Sequence, residues 1–193
     1  MIGRLLIGVL AVCLSAGIAD AQTGSLTGRV AVKGLPASPD VVVSLEAPGL
    51  KVTPPARPVA IDQKRKRLLP EFVPVVTGTT VQFLNSDSVQ HNVFSPEGHY
   101  NLGTWRRGSR DHTFTKHGVY VQLCRLHPEM QAIVVVLDTP YFTIADRTGA
   151  FEINKVPPGK YTLVAWSDGF KAARQPVSIP PADRIAVSIT LTR

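Results

Sequence analysis

The chain is predicted to be all-β, arranged as two β-sandwiches, and three observations lead there. Short β-branched runs alternate with clusters of Gly, Pro, Asn and Asp, and no stretch sustains a helical period. Gly (15) and Pro (16) make up about one in six of the 193 residues, a content that suits turns and interrupts helices. Hydrophobic residues account for 44% and charged residues for 18%, enough to bury a core and too apolar for disorder to describe the whole.

The first element is a leader. Met1–Arg4 is a short positive start, Leu5–Ile18 is apolar and uncharged, and Ala19-Asp20-Ala21 supplies a small-x-small cleavage site. Residues 1–21 therefore read as a secretory signal peptide. The apolar run is short for a membrane anchor, and Val12 before Cys13 is not the small residue a lipoprotein site needs. No apolar run of spanning length follows, so the mature chain is expected to have no membrane helix. Cleavage leaves one Cys, Cys124, and one Met, Met130. A lone Cys in an exported chain is a partner-seeking thiol, a buried bystander or a ligand.

Strands are expected at 25–32, 41–45, 79–85, 91–94, 111–114, 118–124, 131–137, 150–153, 161–166, 175–179 and 184–191. Pro54, Pro55 and Pro58 mark one boundary, and Asp138-Thr139-Pro140 marks another. Between them, residues 58–138 read as a self-contained domain of about five strands that holds all five histidines. The first two strands are too few to bury a face alone. Residues 24–52 and 139–193 are therefore expected to build one discontinuous sandwich, with the central domain inserted. The alternative gives the first two strands to the central sheet.

The chemistry concentrates in Cys124-Arg125-Leu126-His127-Pro128-Glu129-Met130, a C-x2-H-x2-M pattern between two expected strands. A thiolate, an imidazole and a thioether on one loop are soft donors that favour copper over magnesium or calcium. A blue-copper site needs a second imidazole beside the Cys and the first His, with the Met axial and weak. His91 is the best candidate, where an apolar strand breaks into a polar loop and the next strand starts. Asn92 beside it is placed to hydrogen-bond across to the Cys loop. Each residue alone has a plainer reading: C-x2-H as half a zinc site, Met130 as core, Cys124 as a small buried hydrophobe. The conjunction of the mature chain's single Cys and single Met around a His argues against coincidence. His99, His112 and His117 lack such placement and are left out of the site.

The segment from Val75 to Leu137 resembles a cupredoxin of the plastocyanin and amicyanin kind. The matching pieces are Gly78–Asn85, His91-Asn92-Val93, Gly118-Val119-Tyr120 and the loop from Cys124 to Met130. The resemblance implies a Greek-key β-sandwich and copper held by His91, Cys124, His127 and Met130. Two departures stand out: Arg125 and Glu129 put charge on the ligand loop, and Leu123 replaces the aromatic that plastocyanin-like proteins use as a second electron exit. The flanks resemble carboxypeptidase regulatory-like modules, which are transthyretin-like sandwiches. That likeness rests on Asp146–Ile153, Val156–Leu163 and the opening Gly24–Val30. The combination resembles bacterial methylamine-utilisation-like proteins.

Together these readings predict an exported, periplasmic or secreted type 1 copper protein with one copper site that carries single electrons between redox partners. No substrate-activating base is indicated, so no enzymatic activity is expected. A copper-delivery protein and a structural envelope module are the alternatives. The net charge of +7 is unaffected by the leader, where Arg4 and Asp20 cancel. Basic residues are densest at 64–67 and 106–110, consistent with a solvated basic surface or with steering towards an acidic redox partner. An exported chain without an aromatic-basic motif is not expected to bind nucleic acid.

Overall fold

A computed structural model describes residues 22–193; the leader segment lies outside them. Sixteen strands and no helix occur among the described residues, so none of these residues forms a helix long and apolar enough to cross a membrane.

The strands β1 (Gly24–Val32) and β2 (Val41–Glu46) come first and pair with strands in the last third of the chain. β1 runs antiparallel to β13 (Ala150–Val156) and parallel to β16 (Arg184–Leu191). β2 lies between β12 (Phe142–Ala145) and β14 (Gly159–Trp166), and β15 (Ala173–Ile179) completes that sheet. The two sheets enclose a core that includes Leu26, Val41, Val43, Leu45, Phe151, Leu163 and Leu191.

Nine strands fill the middle of the chain. β3 (Val59–Gln63), β4 (Leu68–Leu69), β6 (Thr80–Asn85) and β9 (Ser109–Thr113) form one sheet in the order β4-β3-β6-β9. β5 (Phe72–Val76), β7 (His91–Ser95), β8 (Tyr100–Trp105), β10 (Gly118–Leu123) and β11 (Gln131–Leu137) form the other, in the order β5-β11-β10-β7-β8. Ile61, Val81 and Phe83 from the first sheet meet Val75, Val93, Val134 and Val136 from the second in one core. That core also holds Cys124 and Met130.

β2 and β11 show why two runs are apolar without alternation. Along β11, Ala132, Val134 and Val136 face the central core, whereas Ile133 and Val135 turn outwards onto Val42 of β2. The Phe72 ring stacks near Trp166 in the same layer, with centroids 6.2 Å apart. A strand covered on both faces reads as a continuous hydrophobic run. Each such side chain contributes about 1.5–3 kcal/mol on burial.

The expectation of about five central strands is corrected to nine, β3 to β11. Five strands in the whole chain escape the pattern: β3, β4, β5, β8 and β12. Four of them lie at sheet edges, where one-sided pairing needs little apolar signal. β5 carries Pro74 in mid-strand, which suits an edge and reads as a break. β3 and β4 are joined by a wholly charged turn with no Gly or Asn to mark it.

Between β12 and β13, Asp146 Oδ1 accepts the amides of Thr148 (2.8 Å) and Ala150 (3.0 Å) and the Thr148 hydroxyl. Gly149 follows at φ +81°, and a Cβ there would stand 2.1 Å from the Val30 carbonyl oxygen. Gly149→Ala is therefore expected to destabilise the chain by about 2–4 kcal/mol, combining left-handed backbone strain with overpacking. The denaturant midpoint measures this, and an unchanged midpoint would refute the close approach.

Candidate metal centre

Two loops at one end of the central sandwich build the site. The first, residues 86–90, leaves β6 and delivers His91 at the start of β7. The second, residues 124–130, joins β10 to β11 and carries Cys124 and His127, ending at Met130. The tight second loop closes with the Met130 amide donating to the His127 carbonyl at 3.0 Å. His91 and Met130 are fully buried, Cys124 is 4% exposed, and His127 is half-buried.

One donor atom from each of His91, Cys124 and His127 lies within 4.8 Å of the others. The Nδ1 atoms of the two histidines are 3.0 Å apart, and Cys124 Sγ is 4.0 Å from His127 Nδ1. The rings meet edge to face with centroids 4.7 Å apart. Met130 shares the buried cluster that contains Cys124.

Asn92 holds the two loops together. Its amide donates to Cys124 Sγ at 3.4 Å, and its side-chain oxygen accepts the Arg125 amide at 3.5 Å. Its side-chain nitrogen is anchored on Asn101 Oδ1 (2.7 Å) and the Gly103 carbonyl (2.8 Å).

Sequence reasoning missed Asp87. His91 Nε2 lies 2.8 Å from Asp87 Oδ2, a contact that makes Nε2 the protonated ring nitrogen and leaves the Nδ1 lone pair facing His127. The same carboxylate accepts the Arg65 amide at 2.7 Å and the Lys66 amide at 2.9 Å. Burial pushes the Asp87 carboxyl up, but the Lys66 and Arg65 amides and His91 outweigh it and hold it below the usual range. The only advance signal is the four-residue spacing from His91 within a polar loop.

The other histidines stand apart from this cluster. His112 on β9 stacks on Tyr100 with centroids 3.7 Å apart, and burial lowers its pKa. His117 is exposed and pairs with Asp138 at 3.0 Å. His99 sits at positive φ in an exposed turn.

The donor set fits a soft or borderline metal ion. A thiol and two imidazole nitrogens converge, with a sulfur-directed amide beside them, and the nearby carboxylate is occupied on the far side of His91. Such donors suit copper or zinc and do not suit magnesium or calcium.

Comparison with known proteins gives two likenesses. Residues 128–192 match the family model of the carboxypeptidase regulatory-like domain. Among solved structures, a Cu-containing nitrite reductase from Thermus scotoductus SA-01 is 26% identical over 48% of this chain and 25% of that chain, with a TM-score of 0.40. A purple cupredoxin from Nitrosopumilus maritimus is 26% identical over 41% of this chain and 99% of its own, with a TM-score of 0.38. An amicyanin variant in its oxidised state is 22% identical over 49% of this chain and 98% of its own, with a TM-score of 0.40. The chain thus spans a quarter of the nitrite reductase's length. No curated protein matches the chain.

Proposed function

We propose that the chain, similar to cupredoxins and to the carboxypeptidase regulatory-like domain, is an exported type 1 copper protein that carries single electrons between redox partners. The observation that supports this most is the convergence of Cys124, His91 and His127 donor atoms within 4.8 Å of one another. Copper bound there would supply reversible one-electron chemistry. His91, Cys124, His127 and Met130 would hold it, a thiolate, two imidazoles and a thioether being donors that suit copper.

The chain's own residues account for the rest of the behaviour. Asp87 fixes the tautomer and rotation of His91, and Asn92 pins the thiolate loop against β7. Rigid donors keep reorganisation small when the charge changes, because neither loop has to move. His127 is the half-exposed member and would lead to the surface, whereas His91 and Cys124 are enclosed. We further propose that residues 1–21 direct export and are removed. In the same reading, residues 58–138 form a copper domain inserted between 24–52 and 139–193, which together form a regulatory-like module.

The Met130 assignment has its own test. Met130→Leu should keep copper and its colour, since a volume-conserving core exchange costs less than about 1.5 kcal/mol. It should raise the reduction potential, because losing a thioether donor leaves the higher charge state less stabilised. Protein-film voltammetry measures this, and an unchanged potential would remove Met130 from the ligand set. For the function as a whole, the purified chain loaded with Cu(II) should show an intense thiolate-to-copper band and reversible one-electron cycling.

A further inference from the structure

Two basic stretches stand far apart in the sequence, and the fold brings both to the loop that delivers His91. On one side lies the tip of the β3–β4 hairpin. The Ser86 amide donates to the Gln63 carbonyl at 3.1 Å, and Asp87 accepts the amides of Arg65 and Lys66. On the other side lies the turn between β8 and β9. The Asn85 amide donates to the Gly108 carbonyl at 3.1 Å, and Arg106 Nε donates to the Ser88 carbonyl at 2.7 Å.

Six cationic side chains, Lys64, Arg65, Lys66, Arg67, Arg106 and Arg107, are exposed around this loop. Three carboxylates lie near them and leave the collar a net positive charge, and only Glu71 forms an ion pair with one of the six. Asp62 accepts the Ser86 amide, Glu71 pairs with Arg67, and Asp87 is shared between the hairpin and His91. Among the described residues, Lys64, Arg65, Lys66, Arg106 and Arg107 make no ion pair.

The hairpin displays its charge at a conformational cost. Arg65 and Lys66 sit at φ 55° and 54°, a turn conformation that Asn-Gly would satisfy better. Strain of this kind is kept where the surroundings enforce it and function uses it. Apolar surface adjoins the charge. Val89 is 41% exposed in the first loop and Leu126 is 50% exposed in the second. Apolar contact rimmed by charge is the anatomy of a transient protein interface.

The geometry points to this cationic collar as the docking surface for the acidic face of a one-electron redox protein, an inference that rests on the copper reading above. Exposed Leu126 directly precedes half-exposed His127, whose Nδ1 lies 3.0 Å from that of His91, so the docked surface meets the site at its exposed member. On encounter, the reduced partner would lose one electron and be oxidised, copper held by the site residues would gain it and be reduced, and no bond or proton would be exchanged. An anionic bilayer fits less well, since membrane-surface anchors are aromatic or broadly apolar, whereas Trp105 here is 4% exposed.

The test compares the full chain with the pair Lys64→Glu, Arg107→Glu and with a control pair of equal charge change, Lys33→Glu, Lys160→Glu. Poly-L-glutamate is the first probe, titrated by calorimetry at low ionic strength without copper, so the result stands whether or not the metal reading holds. The collar pair should weaken binding by about tenfold or more, the control pair by less than about threefold. The second probe is hexacyanoferrate(II), an anionic one-electron donor that becomes hexacyanoferrate(III) as it reduces the copper-loaded chain. The collar pair should slow it about fivefold or more at low salt, with rates converging at high salt. Equal losses in both pairs would overturn the proposal. So would collar-dependent binding to phosphatidylglycerol vesicles that poly-L-glutamate does not compete away. A chain that never develops the thiolate-to-copper band refutes the copper reading and leaves the poly-L-glutamate result to decide the surface.

Discussion

Cys124→Ser should abolish the thiolate-to-copper band completely while leaving the fold intact. The two parts have separate causes. A serine hydroxyl does not ionise at accessible pH and is a hard donor, so it cannot replace a thiolate as a strong, coloured ligand. Packing is nearly conserved, because the side chain is 4% exposed and the Asn92 amide that donates to sulfur at 3.4 Å can donate to an oxygen instead. A change within about 1 kcal/mol corresponds to a shift of roughly 2–4 °C in melting temperature for a chain of this size. Absorption and thermal denaturation of the same sample separate loss of ligand from loss of fold. Unchanged absorption in the variant would sink the assignment of Cys124.

The largest stability effect is expected from Phe83→Ala. Phe83 is fully buried in the middle of β6, opposite Ile61 of β3 on one side and Arg110 of β9 on the other. Truncating a buried Phe removes its transfer free energy and leaves a cavity, together about 3–5 kcal/mol. That amounts to roughly 10 °C in melting temperature. The site should survive at low temperature, since the donor atoms come from the loops and not from β6 itself. Asn85 at the end of β6 still holds the first loop through its bonds to the Val89 and Trp105 carbonyls at 3.1 and 2.9 Å. A loss below about 1 kcal/mol would show that the site collapses around the gap and that the central core is not close-packed there.

The candidate donors were legible for a local reason. Cys124, His127 and Met130 fall within seven consecutive residues, so their meeting needs no tertiary information. His91 was legible because a strand, a polar loop and a second strand are all visible around it. Asp87 was not, because Ser86, Ser88 and Gln90 are equally polar neighbours. Only the tertiary approach of the β3–β4 hairpin adds the Arg65 and Lys66 amides to His91 as donors to its carboxylate. The cationic collar was likewise visible only as two unrelated stretches, since hydrogen bonds across the ends of β3, β6 and β9 bring them together. Apart from β3, strands with two partners announced themselves through β-branched runs, as in β11, whereas β5, β8 and β12 at sheet edges carry Pro, Gly or too few residues to do so. The pairing of β1 with β16 joins residues more than 150 positions apart, and no local motif announces a partner at that distance.

As proposed above, a thiolate, two imidazoles and a thioether of this chain bind copper as a type 1 centre. The most direct measurement is the visible and paramagnetic-resonance spectrum of the chain titrated with Cu(II). The expected result is an intense thiolate-to-copper band that saturates at one equivalent, with the paramagnetic signature of copper in a compressed, sulfur-bonded site. A colourless chain with the spectrum of tetragonal nitrogen- and oxygen-bound copper would contradict it.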